Sequence, residues 1–150
     1  MTTHRKLLYH IVFSTKNRKP YLADKAFRDG VFAYMAGACK NLDGFALIVG
    51  GYHDHVHLLV RIPTTVAVSA FIGHLKSGTS KHVNDTSGQI RKFGWQDGFG
   101  VFTVSYSQKD SVYRYIKNQE SQHAKMTYET EYISLLNKHE IEFDEKYVFD

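Results

Sequence analysis

The chain has 150 residues, 43% hydrophobic, 14% aromatic and 23% charged, which suits one soluble domain with its own core. No run of 18 apolar residues offers a membrane span, the opening Met1-Thr2-Thr3-His4-Arg5-Lys6 lacks a signal-peptide core, and the lone Cys39 excludes an internal disulfide and a thiolate zinc site, so a reducing cytoplasm is expected. The formal net charge of +4 is uneven: residues 1–125 hold 17 Lys and Arg against 8 Asp and Glu, residues 126–150 hold 2 against 7, and a basic body points to a polyanionic partner.

Leu7 to Phe13 is apolar on both faces and predicts a central first strand. The loop after it, Ser14 to Pro20, carries Lys16, Arg18 and Lys19, which can meet phosphates. From Asp24 to about Asn41, apolar residues Phe27, Val31, Tyr34, Met35 and Ala38 recur at the helical period, with Cys39 as a small core residue, and Asp43-Gly44 closes the helix. Phe45 to Val49 predicts a second strand, Gly50-Gly51 a tight connection, and His55 to Ile62 a third strand antiparallel to the second.

His53, His55 and His57 stand at alternate positions here. Alternate residues of a strand share a face about 7 Å apart, so neighbouring imidazoles can tilt onto one ion, and neutral imidazole is the commonest side-chain metal ligand. A single histidine in a sheet usually pairs with backbone or water; three at this spacing favour a metal or phosphate site. Two families use such a run. The histidine-triad nucleotide hydrolases need three histidines separated by hydrophobic residues, and Asp54 stands where one of those separators belongs. The HUH nucleases need only His-hydrophobic-His, met by His55-Val56-His57.

Val66 to about Val83 predicts a second long helix, with Lys76, Lys81 and His82 on or near its polar side. The Gly-, Asp- and Ser-rich stretch 84–100 holds Arg91, Lys92, Phe93 and Trp95, where Trp95 either stacks a base or plugs the sheet edge. Val101 to Ser105 predicts the fourth strand. The fold class is therefore α+β, a ferredoxin-like β-α-β-β-α-β sandwich. Such a sheet keeps one face open, a common nucleic-acid platform. Ser107-Gln108-Lys109-Asp110 has capping-box spacing and predicts a helix to about Lys125. Tyr115, a possible nucleophile, and Gln119, a neutral amide able to ligate a cation, lie four apart on one face of it, with His123 a turn further. Tyr113 is a rival nucleophile, but its neighbour at that spacing is Lys117. Residues 1–106 thus form the core, 107–125 an added tyrosine-bearing helix, and 126–150 an acidic tail with apolar Tyr132, Leu135 and Leu136, which guards the basic face or makes a dimer contact.

Taken together, Tyr9 to Lys16, Asp54 to Leu59, Leu75 to Ser80 and Tyr115-Ile116-Lys117-Asn118-Gln119 resemble the single-tyrosine HUH transposases of small bacterial insertion sequences, including relatives acting at repeated palindromes. The resemblance covers nearly the whole chain. It implies a metal-dependent single-stranded DNA endonuclease and strand transferase that recognises hairpins and cuts through a 5′-phosphotyrosine. It further implies Tyr115 as nucleophile, His55, His57 and Gln119 as ligands of Mg²⁺ or Mn²⁺, and a homodimer in which the tyrosine helix serves either its own site or the partner's. His53 and His123 are candidates to support that first set, and Lys16, Arg18, Lys19, Lys76, Lys81, Arg91 and Lys92 to contact DNA. The competing readings are a non-catalytic nucleic-acid module on the same fold, and a histidine-triad hydrolase with His55 or His57 as nucleophile.

Overall fold

The computed structural model describes residues 2–88 and 92–150. Strand β1 (Leu8–Ser14) is followed by helix α1 (Lys25–Asn41), β2 (Phe45–Gly51), β3 (His55–Arg61), α2 (Val68–Thr86) and β4 (Gly100–Val104). The strands form one antiparallel sheet in the order β2-β3-β1-β4, the ferredoxin-like arrangement expected from the element order. β1 is central because its alternate side chains are apolar in both directions. Ile11 and Phe13 join Val56, Leu58 and Val60 of β3 beneath α1 and α2, where Val31, Met35, Cys39, Phe71, Ile72 and Leu75 complete the main core. Burial pushes the Cys39 thiol up to about 12, so it is an inert core residue.

The other sheet face is not open. Three further helices, α3 (Lys109–Lys117), α4 (Gln119–His123) and α5 (Tyr128–Lys138), follow β4. Ile116 of α3 packs on Leu8 and Leu59, while Tyr128, Tyr132 and Leu136 of α5 pack on Val12 and Phe102. The expected acidic tail is thus a docked element: its apolar residues recur one turn apart and bury against the half of the sheet that would otherwise face water.

Three local expectations are corrected. Gly50 and Gly51 belong to β2, and the turn is made by Tyr52, His53 and Asp54. A side chain at Gly50 would lie 2.7 Å from the carbonyl oxygen of Ile116, so the missing side chain lets α3 approach the sheet. The helix expected over 107–125 starts at Lys109 without any side-chain cap, the Ser107 hydroxyl pairing with that of Ser105 instead. It also breaks at Asn118 (φ −97°, ψ 20°), where a poor helix former sits between the tyrosine and glutamine turns. Among the described residues, no helix is long and apolar enough to cross a membrane.

Candidate active site

Parity along β3 and β1 puts His55, His57 and His10 on the face covered by α3 to α5. His55 and His57 are wholly buried, as is nearly all of Gln119 and Glu131. Tyr115 comes from the last turn of α3, Gln119 and His123 from α4, and Glu131 from α5. Arg28 of α1 anchors α4: it donates to the Leu22 carbonyl (2.8 Å) and to Glu120 (2.7 Å). That hydrogen bond holds the Glu120 carboxyl below its ordinary range, and Lys25 reinforces it.

The side chains converge on one point. His55 Nε2 lies 3.0 Å from Gln119 Oε1 and 3.4 Å from Glu131 Oε1. His57 Nε2 lies 3.0 Å from Glu131 Oε1, and His123 Nε2 lies 2.9 Å from Gln119 Oε1 and 3.1 Å from Glu131 Oε1. The Tyr115 hydroxyl donates to Glu131 Oε2, which also accepts from Gln119 Nε2 at 3.0 Å. The opposite ring nitrogens are held as well. His55 Nδ1 meets Asp54 Oδ1 at 2.8 Å, and His57 Nδ1 meets His10 Nε2 at 2.8 Å.

This donor set fits a divalent cation. One ligand atom from each of His55, His57, His123 and Glu131 lies within 4.8 Å of all the others. The 2.9–3.4 Å separations match the roughly 3 Å edge of an octahedron with bonds of about 2.1 Å. The hydrogen-bond chemistry points the same way. In the tautomer that gives Nδ1–H to Asp54, His55 turns a bare Nε2 lone pair toward two oxygens that are themselves acceptors. A cation resolves that conflict, and the Asp54 contact is the carboxylate–imidazole support usual behind metal-bound histidine. Burial drops His57 to about 4, overriding the opposite pull of Glu131, so its ring is neutral and able to ligate at neutral pH. Burial alone would raise the Glu131 carboxyl, but hydrogen bonds from His123 and His57 hold it well below the carboxylate range. Burial, and then the Glu131 charge, push the Tyr115 phenol far up, so it is protonated and needs a base.

Of the residues singled out from sequence, Tyr115, His55, His57, Gln119 and His123 meet here within one chain. His123 stands among the potential ligands rather than behind them. His53 does not join them: it lies in the turn before β3, its ring stacked on Tyr52 at 3.9 Å. The histidine-triad reading therefore lacks its third imidazole. Lys16, Lys19 and Lys92 are exposed, Arg18 pairs with Glu129 at 3.3 Å, and Lys81 pairs with Asp85 at 2.7 Å. Lys76 spends its ammonium on the carbonyls of Gln96 (2.6 Å), Asp97 (3.2 Å) and Gly98 (2.9 Å). Arg91 lies outside the described residues. Trp95 is a plug, packed edge-on against Phe13 and Phe93 with ring centres 4.9 Å away in each case.

Sequence reasoning missed Glu131 and His10 as parts of this site; Asp54, which strand alternation alone would turn away, could orient an imidazole only if a loop turned it inward, and the turn before β3 does so. For Glu131 a signal existed: it shares the buried stripe of α5 with Tyr128, Tyr132 and Leu136, where a carboxylate is out of place unless it has partners.

The family described as "Transposase IS200 like" matches residues 3–119, which include both histidines, Tyr115 and Gln119. The chain belongs to the IS200-like transposase family. It is 31% identical over 118 residues to the transposase of insertion sequence element IS200 from Salmonella typhimurium, covering 74% of this chain and 75% of that protein; the Salmonella typhi protein matches equally. The fold recurs in a Deinococcus radiodurans R1 crystal structure provisionally named a transposase (TM-score 0.62, 23% identity, 79% of this chain and 98% of that one). It recurs also in a REP-associated tyrosine transposase bound to a REP hairpin (TM-score 0.57, 13% identity, 84% of this chain and 76% of that one). The family match ends where α4 begins, so α5 and its Glu131 lie beyond the matched segment of this transposase.

Proposed function

We propose that this transposase is a metal-dependent single-stranded DNA endonuclease and strand transferase that recognises hairpin DNA and cuts through Tyr115. The observation that carries the reading is the Tyr115 phenol bonded to Glu131 Oε2, beside the convergent nitrogens of His55 and His57 and the amide of Gln119. His55, His57 and Gln119 would hold a divalent ion, Mg²⁺ or Mn²⁺. Such an ion supplies charge neutralisation for a non-bridging phosphate oxygen and for the leaving 3′ oxygen.

The protein's own part is positional. Asp54 and His10 fix the two imidazoles, and α3 presents the phenol at the edge of the cluster. Tyr115 forms a new ester bond to phosphorus, the bond from phosphorus to the 3′ oxygen breaks, and the phenol proton passes to Glu131 Oε2. The products are a 5′-phosphotyrosine and, once the departing oxygen is protonated, a free 3′-OH. Because an aryl phosphate ester is activated, another 3′-OH can attack it and reseal a strand without ATP. That supports strand transfer over degradation. A homodimer, and phosphate contacts from exposed Lys16, Lys19 and Lys92, belong to the same reading.

The test offers labelled single-stranded oligonucleotides with and without a hairpin, in Mn²⁺, Mg²⁺ or EDTA. The expected result is metal-dependent nicking near the hairpin and joining to a second 3′-OH strand. Binding without nicking in either metal would contradict the proposal.

A further inference from the structure

We propose that Glu131 is an additional protein ligand of the metal in this chain, so that loading the ion clamps α5 onto the sheet and completes the centre from beyond the family-matched segment. The inference rests on reading the histidine cluster as a metal site.

Glu131 is 2% exposed, and a buried carboxylate is costly unless its charge is met. Its two oxygens are divided between two tasks. Oε2 accepts from the Tyr115 hydroxyl and from Gln119 Nε2, which fixes the amide so that Gln119 Oε1 points the other way, toward His55 and His123. Oε1 faces the same point, 3.0 to 3.4 Å from Nε2 of His57, His123 and His55. In the tautomer that gives Nδ1–H to Asp54, the bare Nε2 of His55 faces two acceptor oxygens, and a cation between them relieves that contact. The carboxylate therefore belongs to the ion's surroundings and not to the packing of α5 alone.

Its scaffold is built for the purpose. Thr127 caps α5, its hydroxyl oxygen accepting from the Thr130 amide, and Tyr128, Tyr132 and Leu136 seat the helix on Val12 and Phe102. Helix α5 thus delivers a carboxylate to a site whose other donors lie on β3 and α4. Adding a carboxylate to imidazoles and an amide raises the negative charge at the site and shifts it toward oxygen-seeking Mn²⁺ and Mg²⁺.

The test titrates Mn²⁺ into the whole 150-residue chain, metal-free and DNA-free. It reads affinity by calorimetry, the number of waters on bound Mn²⁺ by proton relaxation, and amide exchange of α5 with and without Mn²⁺. Glu131→Gln is expected to weaken Mn²⁺ binding roughly tenfold or more and to add one water to the ion's shell. In the wild type, Mn²⁺ is expected to slow exchange across α5. Unchanged affinity and water count in Glu131→Gln would overturn the inference, as would tighter binding, which would make the carboxylate a competitor for the ion's place. If Glu131→Gln does not fold, Glu131→Asp, a methylene shorter, takes its role: weakened binding is expected, and wild-type binding would overturn the inference. Failure of the wild type to bind Mn²⁺ would remove the underlying site reading as well. Loss of binding in His55→Ala and His57→Ala but not in Glu131→Gln would remove this inference alone.

Discussion

Acidification will destabilise the metal-free protein through His57. Burial holds its folded-state pKa at about 4, against an ordinary value of 6.5. A depressed histidine binds its proton less readily folded than unfolded, so between these values the unfolded state takes up more protons and stability falls as the pH falls. For these two pKa values the loss relative to pH 8 is about 2 kcal/mol at pH 5 and about 3 kcal/mol at pH 4. His10, lowered first by burial and then by the neighbouring His57 ring, adds a loss of the same sign. Glu131, held below the carboxylate range, contributes stability that is fully present above about 4.5 and lost only as the pH drops below it, so it is silent between pH 8 and 5. The assay is urea unfolding of metal-free wild type and His57→Asn at pH 8, 6 and 5. Between pH 8 and 5 the wild type is expected to lose about 2 kcal/mol more than the variant. Parallel pH dependences would mean that His57 is not held neutral by burial.

Gly50→Ala places a methyl group 2.7 Å from the Ile116 carbonyl and 3.0 Å from its Cγ2, so α3 must move. Unfolding measurements should show a cost of about 1–3 kcal/mol, with strand nicking falling far more than DNA binding. Lys76→Met strips three loop carbonyls of their shared donor and should lower unfolding free energy by about 2 kcal/mol. Leu136→Ala opens the packing of α5 on Val12 and Phe102, with an expected cost of about 3 kcal/mol and faster amide exchange confined to α5.

The fold was legible where one residue pattern served one structural purpose. β1 is apolar on both faces because both faces are covered, and the α1 stripe from Phe27 to Ala38 repeats at the helical period. His55-Val56-His57 could be read because strand parity alone puts its two imidazoles together. His53 misled for the same reason: parity extends only as far as the strand, and β3 begins at His55. The turn that frees His53 also brings Asp54 back to His55 Nδ1, a contact that alternation forbids within a strand. Glu131 was hidden by composition. It lies among the acidic residues of the last 25 positions, where a glutamate in a first helical turn ordinarily just complements the helix dipole. Its buried role depends on α5 folding back over the sheet, a long-range packing that local patterns do not encode.

If Tyr115 is the nucleophile of a metal-dependent strand transfer, a covalent protein–DNA adduct should map to it. Wild type and Tyr115→Phe would be incubated with a labelled hairpin-bearing single strand in Mn²⁺, digested and analysed by peptide mass spectrometry. A nucleotide linked through phosphate to the peptide containing Tyr115 is expected, with no adduct in EDTA and none with Tyr115→Phe. An adduct that persists in Tyr115→Phe, mapping to Tyr113 or to a histidine, would contradict that role for Tyr115.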